Sequence, residues 1–99
     1  MPEPIYIEIV TSPGCVHSPK AVRIARQTIS KLDDPIIMRE VSIATAEGMQ
    51  RAREFEVQAT PAIAINGRVA YVGVPSIKLM GDLIRSTLWK EKEKGECYF

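Results

Sequence analysis

The stretch Ile5-Tyr6-Ile7-Glu8-Ile9-Val10-Thr11-Ser12-Pro13-Gly14-Cys15-Val16-His17-Ser18-Pro19-Lys20-Ala21-Val22 changes its period halfway along. Ile5 to Val10 is β-branched and aromatic, with Glu8 its one charged residue. A short, nearly continuous apolar run of this kind suits a central strand covered on both faces. Thr11-Ser12-Pro13-Gly14 breaks the run and makes a loop. From Val16 to about Leu32 the pattern is helical. Val22, Ala25, Ile29 and Leu32 recur at spacings of three and four, and Lys20, Arg23, Arg26, Gln27 and Lys31 fill the opposite face. Cys15 therefore stands where a strand hands over to a helix.

Working outward, Asp33-Asp34-Pro35 stops that helix and Ile36 to Ile43 reads as a second strand. Thr45 is placed to cap a short helix through Phe55, with Met49, Ala52 and Phe55 on its inner face. Gly48 weakens that helix. Val57-Gln58-Ala59-Thr60-Pro61-Ala62-Ile63-Ala64-Ile65 gives a third strand containing a proline. Asn66-Gly67 is a hairpin signal, and Val69 to Val72 forms the fourth strand. Pro75 and Ser76 introduce the last helix, with Ile77, Met80, Leu83, Ile84 and Leu88 as its stripe. Lys90 to Lys94 reads as a solvated helix end, Gly95 as its stop and residues 96–99 as a tail. The order is β-α-β-α-β-β-α in one domain, residues 1–99, with a core over about 4–94. A helical crossover makes the first two strands parallel, and a hairpin makes the last two antiparallel. This is an α/β class protein: a four-stranded mixed sheet with helices on both faces.

Bulk composition excludes several functions. The chain has 99 residues, 45% hydrophobic and 25% charged, with a formal net charge of +1. One small core is affordable and no more. No basic stripe interleaves with aromatics, so nucleic-acid partners are not expected. No apolar run approaches the roughly 20 residues that span a bilayer, and no secretory signal opens the chain. With two cysteines, Cys15 and Cys97, far apart, a reduced cytoplasmic setting is expected rather than a disulfide framework. Two Cys and one His, His17, do not make a zinc site, so no metal is expected.

A thiol at a helix start meets unpaired N–H groups and the positive end of the dipole, both of which favour thiolate. An ordinary Cys has a pKa near ~8.5, with only about 3% ionised at pH 7. Helix N-termini lower it. His17 can add an imidazolium, Lys20 a fixed charge and Ser18 a hydroxyl donor. Ser18-Pro19 has a second reading, Ser as N-cap with Pro as first helical residue. The two uses of Ser18 need different rotamers.

TSPGCVHSPKAV, the TPAIAING stretch and the element order resemble the thioredoxin/glutaredoxin superfamily, and within it the small glutaredoxin-like thioredoxins of prokaryotes. The likeness covers nearly the whole chain and implies a thioredoxin-like fold. It places Cys15 at the first Cys of C-x-x-C and Ser18 at the second, giving C-V-H-S, similar to the C-x-x-S of monothiol glutaredoxins. It gives His17 a thiolate-favouring slot, and makes Thr60-Pro61 the cis-proline loop that faces the Cys and pairs with substrate backbone. Gly73 and Val74 stand where glutaredoxins carry a Gly-Gly pair that helps hold glutathione. Ser12 and Pro13 replace the Lys usual before the Cys, and Ile9 replaces the buried acid of thioredoxins.

The resemblance implies a thiol–disulfide redox protein using one nucleophilic Cys on a disulfide-bearing client protein or a small disulfide. No cofactor is required. A small thiol is a co-substrate, with glutathione disfavoured by the departures, and Cys97 is a candidate resolving thiol. Two rivals stand beside it: a non-catalytic binding module using the groove near Pro61, and an iron–sulfur carrier in which two copies each give one Cys.

Overall fold

The computed structural model describes residues 4–94, with side chains described over residues 4–87. Seven elements follow one another: β1 (Ile5–Thr11), α1 (Ser18–Ile29), β2 (Ile36–Ser42), α2 (Ala46–Glu54), β3 (Ala62–Ile65), β4 (Arg68–Val72) and α3 (Ile77–Lys94). The sheet order is β2-β1-β3-β4. β1 pairs parallel to β2 with Ile5 opposite Ile36, and antiparallel to β3 with Ile7 opposite Ile65. β3 and β4 pair antiparallel, with a register shift at Ile63/Ala64. The expected mixed sheet with helices on both faces is what forms.

Strand alternation divides β1 between two cores. Ile5, Ile7 and Ile9 join Ile63 and Ile65 beneath Val22 and Ala25 of α1 and Met80 and Ile84 of α3. Val10 joins Val41, Ala52 and Ala62 on the other face, beneath α2. Coverage there is incomplete: Tyr6 is 53% exposed and Ile37, its neighbour across β2, 48%. β1 is thus central but not covered on both faces along its whole length. Glu8 is buried on that open face and takes two bonds from Arg51, Nε at 2.9 Å and Nη2 at 2.5 Å. Arg39 approaches it at 3.4 Å. Arg51 holds the Glu8 carboxyl below the usual carboxylate range, against the opposing effect of burial.

The hairpin tip is a two-residue turn with both φ values positive, Asn66 at 50° and Gly67 at 82°, the geometry that the Asn-Gly pair favours. Asn66 also extends the β1–β3 ladder. Its N–H donates to the Tyr6 carbonyl at 2.8 Å, and its Oδ1 accepts from the Tyr6 N–H at 2.9 Å.

Several boundaries differ from the sequence expectation. α1 begins at Ser18 rather than Val16, because residues 15–18 form a turn closed by the Ser18 N–H on the Cys15 carbonyl at 3.3 Å. It ends at Ile29 rather than Leu32, where Lys31 and Leu32 turn back onto the Thr28 and Ile29 carbonyls three residues earlier. β3 begins after Pro61, not at Val57. Thr45 caps α2 as expected, its hydroxyl accepting from the Gly48 N–H at 2.9 Å. On the inner face of α2, however, Met49 is exposed and Gly48 is buried. A side chain at 48 would overlap the Ser42 carbonyl oxygen, so the glycine lets the helix sit close to the sheet. Ile77 is 40% exposed and so only flanks the α3 stripe. The Leu88 side chain, the tail and Cys97 lie outside the described residues.

Candidate functional site

The site is assembled at the C-terminal end of β1. Ser12 follows the strand and supplies both of its main-chain groups: its carbonyl accepts the Cys15 N–H at 3.0 Å, and its N–H donates to Ser18 Oγ at 3.5 Å. This turn presents the Cys15 side chain, partly exposed, ahead of α1. The N-cap of α1 is His17, with no side-chain cap bond, and Pro19 lies in the first turn, where a missing N–H leaves no helix bond unmade. The reading of Ser18 as N-cap is thereby overturned. Ser18 lies inside the helix, 3% exposed, with its hydroxyl turned to the Ser12 N–H and the Cys15 sulfur.

Across from the thiol, Thr60-Pro61 is a cis peptide bond. The Cys15 thiol donates to the Thr60 carbonyl at 3.5 Å. Pro61 is fully buried, and its carbonyl accepts the Gly73 N–H at 2.7 Å, which draws the end of β4 to the same corner. Gly73 has φ 118°, in the region that favours glycine. Val74 beside it is half-buried. The structure therefore brings Cys15, Ser18, Thr60, Pro61 and Gly73 together.

The Cys15 thiol is lowered to about 7. The largest cause is the Ser18 hydroxyl, then the Thr60 side chain, with smaller contributions from the backbone N–H groups of His17 and Ser18. Burial opposes them, by more than either backbone group contributes. Neither the His17 imidazole nor the Lys20 ammonium is among these causes, so the tuning expected from their charges comes instead from neutral hydroxyls and amides. His17 acts through its main chain, with its residue exposed. Near pH 7 a thiol of this kind is about half thiolate, the nucleophilic form. The sequence reading missed Ser12, whose main chain holds both Cys15 and Ser18. Ser-Pro-Gly before the Cys carried the signal, since Pro followed by Gly is a β-turn pattern.

Among the described residues no group of His, Cys, Asp or Glu is arranged to hold a metal ion, and no helix is long and apolar enough to cross a membrane.

Comparison with known proteins places the chain in a family. The profile described as thioredoxin domain matches residues 5–85. A thioredoxin of Methanocaldococcus jannaschii is 31% identical over 85% of this chain and 96% of its own. A solved protein disulfide oxidoreductase of Aeropyrum pernix is 32% identical, with a TM-score of 0.71, and matches 85% of this chain. The match spans only 37% of that larger protein. A solved thioredoxin of the same organism, 21% identical over 85% of this chain and 75% of its own, shares the fold with a TM-score of 0.61. With its fold and its sequence both matching, this chain belongs to the thioredoxin family, and its role lies in thiol–disulfide redox chemistry.

Proposed function

We propose that the chain works with a single thiol: the Cys15 thiolate attacks a disulfide on a client protein or small molecule, and the bond it forms is released from outside. One observation carries the reading. The residue one helical turn after the thiol is a buried hydroxyl, Ser18, which stabilises a thiolate but cannot attack a mixed disulfide. In the first step a Cys15–client S–S bond forms and the client's own S–S bond breaks. The electron pair leaves on the other client sulfur, which takes a proton from water. One disulfide replaces another, with no net oxidation. In the second step an external thiol attacks the client-side sulfur, a new disulfide leaves, and the Cys15 thiolate returns.

The second thiol is the client's own, giving isomerisation, or a small thiol, giving release of the reduced client after a further exchange. Cys97, which lies outside the described residues, is the internal alternative: it would attack the Cys15 sulfur, release the client as thiolate and leave a Cys15–Cys97 disulfide for an outside thiol to reduce. Thr60 and Pro61, with Gly73 and Val74 alongside, are the proposed seat for an extended client segment next to the sulfur. No bound cofactor enters this scheme. A reducing cytoplasm would keep Cys15 reduced and available for exchange.

The test is reaction with a small symmetrical disulfide, followed by intact-mass and peptide mapping. One adduct on Cys15 is expected, none in Cys15→Ser, and the rate should rise with pH through a midpoint of about 7 and then level off. Ser18→Cys should close an internal disulfide, because positions 15 and 18 lie about one turn apart, and should release the mixed disulfide much faster through high effective concentration. Absence of a Cys15 adduct, or an adduct whose rate has a midpoint of ~8.5, would replace this reading with a non-catalytic binding module.

A further inference from the structure

The turn that presents the thiol is itself anchored by a pair of side chains that the exchange steps do not touch. Thr11 is the last residue of β1 and is 3% exposed. Its hydroxyl donates to Glu40 Oε2 on β2 at 3.0 Å, and Glu40 stands in register with Ile9. The Thr11 carbonyl accepts the Ile43 N–H at 2.9 Å, just past the end of β2. Side chain and main chain of Thr11 are thus both tied to the neighbouring strand.

Peptide planarity turns this anchor into a constraint on the site. The Thr11 carbonyl and the Ser12 N–H belong to one rigid unit, so fixing one fixes the other. That N–H donates to Ser18 Oγ at 3.5 Å, longer than an ordinary N–H···O bond, so a small displacement breaks the contact. A serine hydroxyl carries a single proton. When its oxygen accepts from Ser12, the proton is directed elsewhere, and the Cys15 sulfur is the group it stabilises.

We propose that Thr11 and Glu40 are positioning residues for the Cys15 thiolate: their hydrogen bond, beside that of the Ile43 N–H on the Thr11 carbonyl, anchors Thr11 to β2 and so helps seat the Thr11–Ser12 peptide, whose N–H meets the Ser18 hydroxyl. The inference rests on the thiolate role of Cys15 proposed above. Glu40→Gln, which keeps an acceptor and removes the charge, tells the hydrogen bond from the charge.

The experiment measures the pH profile of Cys15 alkylation by iodoacetamide in the full chain, with thermal unfolding recorded for every variant. Glu40→Ala and Thr11→Val, which each remove the bond, are expected to slow alkylation at pH 6 by about threefold, as a rise of about half a pH unit in the midpoint would do. Glu40→Gln and Thr11→Ser, which keep an acceptor and a hydroxyl, are expected to restore the wild-type rate or exceed it. Unchanged profiles in Glu40→Ala and Thr11→Val, beside a wild-type midpoint of about 7, would overturn the positioning role alone. Equal slowing in Glu40→Gln and Glu40→Ala would overturn it too, because the acceptor kept in Glu40→Gln would then make no difference, and loss of a negative charge cannot itself disfavour a thiolate. A wild-type midpoint near ~8.5 would overturn this role together with the exchange reading.

Discussion

The two faces of the sheet are built from one strand by different means. On one, Ile5, Ile7 and Ile9 meet α1 and α3 in a closed apolar layer that also takes in Ile63, Met80 and Ile84. On the other, α2 covers Val10 and its neighbours but leaves a groove of about 640 Å³ beside Tyr6, Ile37, Arg39 and Arg51. Where apolar cover runs out, Glu8 and Arg51 bridge sheet and helix with charge-assisted bonds. The difference teaches where the fold has freedom. The closed face sets global stability, and the open face fixes the seat of one helix. The thiol turn leaves β1 at the end where both faces are covered, with Val10 and Thr11 each buried.

The comparison breaks first on the closed face. Ile63→Ala should cost about 2–5 kcal/mol in chemical denaturation, by lost transfer energy plus the cavity left among rigid neighbours. A cost below ~1 kcal/mol would mean that this layer collapses around the gap and is not the stable half. Gly48→Ala should come next, about 1–3 kcal/mol, since α2 must lift away from the Ser42 carbonyl to admit a methyl group. Loss of stability with unchanged Cys15 alkylation would confirm that the damage stays on the α2 face.

Arg51→Ala should cost about 1–3 kcal/mol by leaving a buried carboxylate short of partners. This variant also carries a pH signature. Glu8 is held below its ordinary value in the folded state. Its stabilising contribution is therefore present above the unfolded pKa of ~4.3 and is lost as pH falls through the lower folded value. Wild-type stability should decline in that acid window, and the decline should flatten in Arg51→Ala; parallel acid profiles would contradict the assignment. The smallest effect belongs to the open groove. Ile37→Thr should stay within about 0.5 kcal/mol, as for exposed positions free of special contacts. A larger loss would show that the groove is covered in solution.

What was legible in the sequence follows from range. The β1 run, the Thr45 cap and the Asn66-Gly67 turn are local patterns, and each forms where its residues lie. The Glu8–Arg51 bond spans 43 positions, so a lone acid in an apolar strand gave no hint of its partner. Gly48 looked like a weakness in a helix because helix propensity is local, whereas its role is set by a carbonyl on β2. At the site, the position of Cys15 was readable from the change of period. The use of Ser18 was not, because one hydroxyl can cap a helix or face a sulfur, and the choice depends on a turn made by Ser12. Of the three donors the sequence offered for lowering the thiol, His17, Lys20 and Ser18, the Ser18 hydroxyl is the largest cause, and residue type alone could not rank them because it does not show where a side chain points.

The Asn66 tie to Tyr6 has a practical meaning for engineering this scaffold. An exposed two-residue tip looks like an ideal place to insert an epitope or a fluorophore loop. Here the tip is a spacer of fixed length, because the side chain and N–H of Asn66 hold both main-chain groups of Tyr6 at 2.8–2.9 Å. A residue added before Asn66 would carry it out of reach, and one added after it would disturb the positive-φ turn that holds it there, so the ladder would open from the end remote from the thiol. Grafts belong elsewhere on the surface, and the hairpin tip should be kept at its native length.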